Sequence, residues 1–432
     1  MNAYEEHRTF MLTNDPRWLL TIDGFDTALE PTIEAVCALV NGYSGTRAAL
    51  EEGSPVSRPA AFVAGVFNTP AQPQAPELEA PISELVVAAN WSRLYIEVEG
   101  QPLRIGEVEL LSQRRVLDMR QGVLLREWRV RDAVGRITSL RSLRFASLDN
   151  RHVLVQQLRL TAENYSGTIA LESLVDGQVS NENHTIHLDQ TAAQAIPVGQ
   201  LLALQTRQSG YTLAYATHAA LHGPTGDAIL GTPVLAEQRV GMRWEWQAAP
   251  GHTYELHKLV ACVTSRDSAQ PEVQAAQLLE QLAAAGGSTL LAAHIRAWAA
   301  RWATADVQIE GDAETQRQVR FALYHLIGAA HPDERASVGA RALTGERYRG
   351  HVFWDTETFV WPFYLFTEPN TARALLMYRY HTLDGARAKA HALGYRGALY
   401  AWESTDTGAE TTPPFITVPG LGRQQILTGV QE

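Results

Sequence analysis

Between residues 350 and 408 the chain carries two clusters in which aromatic rings stand beside carboxylates. The first is Gly350-His-Val-Phe-Trp-Asp-Thr-Glu357, continued by Phe-Val-Trp-Pro-Phe-Tyr364. The second is Leu399-Tyr-Ala-Trp-Glu-Ser-Thr-Asp-Thr-Gly408. Rings and carboxylates together suit a sugar, whose C–H faces stack on aromatic planes and whose hydroxyls need charged acceptors. A plainer reading fits the same residues equally well. In it, Phe353, Trp354, Phe359 and Trp361 are core aromatics of a helix bundle, and Asp355 and Glu357 cap a helix or pair with arginine.

Other chemistries find less support. The sequence has no H-E-x-x-H, no G-x-x-x-x-G-K-[ST], no G-x-S-x-G and no G-x-G-x-x-G. His325, His331 and His351 are close in sequence but lack ligand spacing on one helix face, so they read as solvated or core side chains, and no metal site is expected. Two cysteines, Cys37 and Cys262, cannot build a disulfide framework or a multi-cysteine zinc site. They read as buried, unreactive thiols in a reducing cytoplasm. Arg114-Arg115 reads as a solvated pair. The net charge of −11, without a basic cluster, argues against nucleic acid or an anionic membrane surface as partner. No apolar run approaches the roughly 18 residues of a membrane span. The charged start, Met1 to Trp18, lacks the apolar core of a signal peptide.

The elements that must position the two clusters come in a clear order. A chain of 432 residues exceeds the roughly 250–300 that one core supports, so several domains are expected. Up to residue 265 the pattern is mostly strand. Apolar and polar positions alternate from Leu94, Ile137, His152 and Gly241, and turn clusters such as Glu163-Asn-Tyr-Ser-Gly and Ala249-Pro-Gly separate them. Many strands without intervening helices predict a large antiparallel β-sandwich over 1–265. Residues 68–81 are Pro-rich and read as a surface loop. From Pro271 to about Ala303 good helix formers dominate, divided at Gly286-Gly287, which predicts a helical linker over 266–305. Beyond it lies an all-α region, 306–432. Gly311-Asp312 offers an N-cap for a helix whose Val319, Ala322, Leu323, Leu326 and Ile327 recur at helical spacing. A further helix is predicted from Thr367 to Gly394, with Pro369 in its first turn and Ala372, Leu375, Leu376 and Leu383 facing inward.

These residues carry a family resemblance. Residues 350–410, from G-H-V-F-W-D-T-E through L-M-Y-R-Y-H-T-L-D-G-A-R to W-E-S-T-D-T-G, resemble the signature of glycoside hydrolase family 65 catalytic domains. Ser337-Val-Gly-Ala-Arg-Ala-Leu-Thr-Gly-Glu346 and Val63-Ala-Gly-Val-Phe67 resemble that family too. So does Asn41-Gly-Tyr-Ser-Gly-Thr-Arg47 with Glu51-Glu-Gly53, although Ser44 stands where the family has a hydrophobic residue. The resemblance implies the first part of an (α/α)6 barrel after the linker. It implies that Trp354 and Asp355 bind a glucosyl unit, with Trp402 and Glu403 in the same pocket. The implied reaction is inverting phosphorolysis of an α-glucosyl disaccharide of the maltose, trehalose or kojibiose type. The products would be β-glucose 1-phosphate and glucose, with inorganic phosphate as co-substrate and no cofactor. A hydrolase of the same family and an inactive carbohydrate-binding fragment are the alternatives. A homodimer is left open. The family's general acid sits in a later motif that is absent here, so the chain is expected to be the N-terminal portion of a longer enzyme, with no catalytic residue among those present. Glycosidic linkage cannot be read from these residues.

Overall fold

The computed structural model describes residues 11–425, apart from 77, 414 and 419. The two chain ends, and with them the readings made on the first ten and last seven residues, lie outside the described residues.

Two antiparallel sheets dominate the first 265 residues. The larger has ten strands. Along it run Leu19–Asp23, Glu109–Asp118, Val123–Arg131, Ile137–Ala146, Val153–Ala162, His252–Thr264, Thr212–His222, Gln200–Thr206 and Leu188–Ala195, and Ala228–Ile229 pairs with Thr212–His222. The smaller runs Thr232–Ala236, Arg239–Ala248, Gly167–Asp176, Asn90–Val98 and Gln101–Pro102. Trp128, Leu140, Leu158 and Leu256 from the first meet Leu94, Ile96, Leu171 and Trp244 from the second in one apolar cluster. The strand beginning at His152 was expected to bury one face only. Its first half is buried on both faces, because Val153 and Val155 point at a helix instead of water.

That helix follows the sheets. Helix α1 is the short Glu30–Val36, and α2 (Pro271–Ala285) lays Ala275, Leu279 and Leu282 against the outer face of the large sheet. Gly286 breaks the chain at φ +77°, as its place between helix formers suggests, and α3 (Gly287–Ala305) turns back. Trp298 of α3 stacks on Tyr324 with ring centroids 5.0 Å apart.

Tyr324 lies on α4 (Ala313–Ala329), whose N-terminus is capped by the Asp312 carboxylate, accepting from the N–H groups of Glu314 and Thr315 at 3.0 Å. The face that α4 buries is Gln316, Arg320, Tyr324, Ile327 and Gly328. The expected apolar stripe differs: Ala322 is exposed and Val319, Leu323 and Leu326 are only half buried. Burial against the β region selects the face with the large Tyr and the small Gly328. The helix predicted from Thr367 to Gly394 is two helices, α6 (Pro369–His381) and α7 (Leu383–Ala392), preceded by α5 (Trp361–Thr367). At the break the Thr382 hydroxyl bonds back to the Tyr378 carbonyl at 2.8 Å. Ala372 and Leu375 are buried as expected, whereas Leu376 faces out and Leu383 is half buried.

Arg114 and Arg115 occupy one strand and therefore opposite faces. Arg114 is exposed, but Arg115 is buried and clasps Glu30 of α1 at 3.0 Å, which corrects the solvated-pair expectation. The Asn41–Gly53 segment also gains a physical account. A Cβ on Gly45 would stand 2.1 Å from the Leu343 carbonyl oxygen, so the β region approaches the helical region backbone to backbone there. Glu51 and Glu52 lie buried on Arg126 at 2.7 and 2.6 Å. Burial alone would raise the Glu51 carboxyl, but Arg144 and Arg126 outweigh it and hold it at about 2. Cys37 and Cys262 are free and buried, with burial pushing both thiols up to about 12. Among the described residues no helix is long and apolar enough to cross a membrane.

Candidate functional site

The two aromatic-carboxylate clusters, some fifty residues apart in sequence, meet through a two-residue antiparallel ladder. Val352 pairs with Ser404 and Phe353 with Glu403. Antiparallel register then sets the next residues outward, Trp354 and Trp402, opposite each other. Their rings meet edge to face, with centroids 5.9 Å apart and planes at 64°. Trp354 remains 38% exposed and Phe359, on its other side, 69% exposed. These rings are thus not the core aromatics of the plainer reading. Trp361, by contrast, is half buried and donates its Nε1–H to the Ala372 carbonyl at 2.9 Å.

The carboxylates sort themselves by partner. Glu357 is committed to structure: Arg379 donates to both its oxygens, at 2.9 and 2.8 Å. Arg379 also donates to the Phe353 carbonyl at 3.0 Å, and so ties α6 to the ladder. Asp355 sits at the head of the single π-turn Thr356–Val360, exposed and without a hydrogen-bond partner among the described residues. Such a π-turn widens the helix start and is frequent at functional sites. Glu403 keeps its Oε1 without a partner among the described residues, while its Oε2 lies 2.7 Å from Nδ1 of His351.

Beneath the second cluster sits Glu410, which the sequence reading did not single out. Its carboxylate accepts from the N–H groups of Trp402 at 3.0 Å, Glu403 at 3.3 Å and Thr412 at 3.1 Å, and pairs with Lys389 of α7 at 2.8 Å. Burial opposes ionisation here, but the Lys389 ammonium and the backbone donors outweigh it, so the carboxyl stays below its ordinary value. Glu410 therefore acts as a peg that sets the backbone carrying Trp402 and Glu403. A charged residue two places after the Asp406-Thr-Gly408 turn was the one signal that could have pointed to it. The turn is tight for a further reason. A Cβ on Gly385 would lie 2.4 Å from the Gly408 carbonyl carbon, so α7 rests directly on this loop. The β region joins from the far side: the Tyr211 hydroxyl donates to Asp406 at 2.5 Å.

His351 is the other residue that sequence reasoning passed over as one of three unremarkable histidines. It is fully buried between the ladder and the β region, with Nε2 2.6 Å from the carbonyl of Ser83. His325 and His331 lie elsewhere, against Val36 and Arg151. Among the described residues no group of three or more His, Cys, Asp or Glu could hold a metal ion.

The arrangement thus presents two indole rings set edge to face, the exposed Asp355 carboxylate beside Trp354 in the chain, and a Glu403 carboxylate engaged through Oε2 alone among the described residues. Of the residues singled out from the sequence, it brings Trp354 and Trp402 into ring contact and pairs the backbone of Glu403 with Phe353, while Asp355 follows Trp354 in the chain.

Comparison with known proteins covers most of the chain. Residues 20–301 match the glycosyl hydrolase family 65 N-terminal domain, and residues 320–432 match the family's central catalytic domain. A kojibiose phosphorylase of Caldanaerobacter subterraneus is 36% identical over 93% of this chain and 53% of its own length. An α,α-trehalose phosphorylase of Thermoanaerobacter brockii is 28% identical over 90% of this chain and 53% of its own. A nigerose phosphorylase of Lachnoclostridium phytofermentans is 30% identical over 85% and 50%. Among solved structures, a putative kojibiose phosphorylase from human microbiome superposes with a TM-score of 0.84 at 21% identity, covering 93% of this chain and 53% of that one. The chain spans about half the length of the relatives it matches.

Proposed function

The chain belongs to glycoside hydrolase family 65, and on that premise we propose that the full-length protein carries out inverting phosphorolysis of an α-glucosyl disaccharide, giving β-glucose 1-phosphate and glucose. In this reading Trp354 and Trp402 wall the glucosyl unit, and Asp355 and Glu403 accept hydrogen bonds from its hydroxyls. A general acid supplied beyond residue 432 protonates the glycosidic oxygen, while phosphate attacks the anomeric carbon from the opposite face. The chain divides in this reading into a β-sandwich (1–265), a helical linker (266–305) and the start of an (α/α)6 barrel (306–432). The two reduced, buried thiols suit a cytoplasmic setting.

The observation that carries the reading is the ladder Val352–Phe353 to Glu403–Ser404. It joins two separated sequence clusters and sets the Trp354 and Trp402 rings edge to face, with the exposed Asp355 and the half-engaged Glu403 next to them in the chain, which supports the reading of a sugar site. The names of the relatives add phosphorylase chemistry: kojibiose, trehalose and nigerose phosphorylases all align with this chain. The test is to incubate the full-length gene product with kojibiose, maltose, trehalose and nigerose, with and without inorganic phosphate, and to follow products by proton NMR. Phosphate-dependent appearance of the β anomer of glucose 1-phosphate supports the proposal. Phosphate-independent release of two glucose molecules makes the protein a hydrolase. No cleavage of any of the four overturns the proposal.

A further inference from the structure

We propose that His351 is a positioning residue of the glucosyl pocket: held as an imidazolium between the Ser83 carbonyl and Glu403, it fixes the carboxylate that meets the sugar. The proposal rests on the reading of Glu403 as a sugar-binding residue and goes beyond it.

Hydrogen-bond accounting assigns the ring its protons. Nε2 lies 2.6 Å from the Ser83 carbonyl oxygen. A carbonyl only accepts, so Nε2 carries a hydrogen. Nδ1 faces two oxygens, Glu403 Oε2 at 2.7 Å and the Thr411 hydroxyl at 3.3 Å. The single hydrogen of that hydroxyl is directed at the Glu403 carbonyl oxygen, 2.8 Å away, so Thr411 turns a lone pair toward Nδ1. Two acceptors converge on Nδ1, which therefore carries a hydrogen as well. A ring with both nitrogens protonated is a cation, and Glu403 is its carboxylate counter-ion. The ring is fully buried, and both of its nitrogens are satisfied by the oxygens they face.

The consequence for the pocket is geometric. Oε2 of Glu403 is engaged, and Oε1 is the atom left without a partner among the described residues. The clamp is anchored outside the helical region. Ser83 belongs to the β region, and Gly350, just before the histidine, takes φ +71° with no room for a Cβ beside Leu85. The β region thus reaches the sugar-facing carboxylate through one imidazole ring. Because the ring does not face the rim, its role is to orient Glu403 and not to touch substrate.

A double-mutant cycle tests this in the full-length gene product, with His351→Gln, Glu403→Gln and the double variant. The readouts are glucose affinity from tryptophan fluorescence, kcat and KM for the disaccharide it cleaves, and melting temperature. His351→Gln is expected to weaken glucose binding about tenfold, the scale of one charge-assisted hydrogen bond. The double variant is expected to lose no more affinity than Glu403→Gln alone. Additive losses, or a lower melting temperature with affinity intact, overturn the positioning role. Unchanged affinity in Glu403→Gln overturns the sugar-binding reading and this proposal with it. Should His351→Gln fail to fold, nitrogen-15 NMR of labelled histidines in the unsubstituted protein decides. One ring that carries a hydrogen on both nitrogens, and whose signals change in Glu403→Gln, supports the clamp. A neutral ring in its place overturns it.

Discussion

Trp354 and Trp402 face each other edge to face, 5.9 Å between ring centroids, one step beyond the ladder pair Phe353–Glu403. The two rings come from segments that α5, α6 and α7 separate in sequence, yet the register of two residue pairs fixes their meeting. Trp354 stays 38% exposed, so an aromatic surface beside the ladder is open to a ligand.

Removing either indole should weaken the proposed glucosyl pocket without unfolding the protein. Trp354→Ala and Trp402→Ala are each expected to raise KM for the disaccharide by roughly two- to tenfold, the scale of one aromatic contact. Trp354→Phe should retain most of the affinity. Melting temperatures should change little for Trp354, because the ring is already 38% exposed. Steady-state kinetics beside thermal melts check both halves of the statement.

Arg379 should behave differently, because its work is structural. It holds Glu357 with two hydrogen bonds and the Phe353 carbonyl with a third. Arg379→Met leaves a partly buried carboxylate unpaired, at a cost of about 1–3 kcal/mol. Urea unfolding should show that loss, and replacing Glu357 by Leu in the same protein should recover part of it. Equal stability of the single and double variants would mean the pair contributes nothing.

The core of the β region carries a pH signature. Lys258 is fully buried, and among the described residues its ammonium donates only to the Leu174 carbonyl, at 2.7 Å. Burial pushes its titration down from 10.5 to about 7. Above pH 10.5 the amine is neutral in both folded and unfolded chains, so it exacts no penalty. As pH falls the unfolded chain takes up the proton first, and the penalty grows until about pH 7, where the folded chain takes it up too. Lys258→Met should therefore raise the melting temperature at pH 7, with the gain shrinking as pH approaches 10.5. A gain that is constant across that range would contradict the assignment.

Much of this was legible in the sequence, and the reasons are local. Alternation marked the strands at Ile137 and His152, Gly286-Gly287 marked the break between α2 and α3, and Asp312 marked the start of α4. The two aromatic-carboxylate clusters were visible as composition. What escaped was set by distant partners. Nothing near His351 announces Ser83, 268 residues earlier, or Glu403, 52 residues later. Arg115 looked solvated because its counter-ion Glu30 lies 85 positions away. The buried face of α4 was misjudged because tertiary packing chose Tyr324 and Gly328 over the more apolar stripe. The break at Thr382 follows from a side-chain hydroxyl returning to the preceding turn and from the backbone of Gly408 lying against Gly385, neither of which periodicity reports.

The helical region depends on the β region for its packing. Tyr324 and Ile327 share a cluster with Leu39, Tyr43 and Trp91, and Phe366 and Tyr380 are already 83% and 65% exposed. Residues 306–432 expressed alone should bind hydrophobic dyes, aggregate and lack a sharp unfolding transition. A cooperative calorimetric transition for that segment would show that its own contacts suffice.

The central claim is that the rim built by the ladder is a glucosyl-binding pocket, and Asp355 is the residue on which it turns. Its carboxylate is exposed and free of hydrogen-bond partners among the described residues, so replacing it removes no internal contact. The deciding measurement is phosphorolysis by Asp355→Ala in the full-length gene product, taken beside its melting temperature. The account predicts a fall in kcat/KM of at least about a hundredfold, the loss of two charge-assisted hydrogen bonds to sugar hydroxyls, with the melting temperature unchanged. Turnover at the level of the unsubstituted enzyme would contradict it.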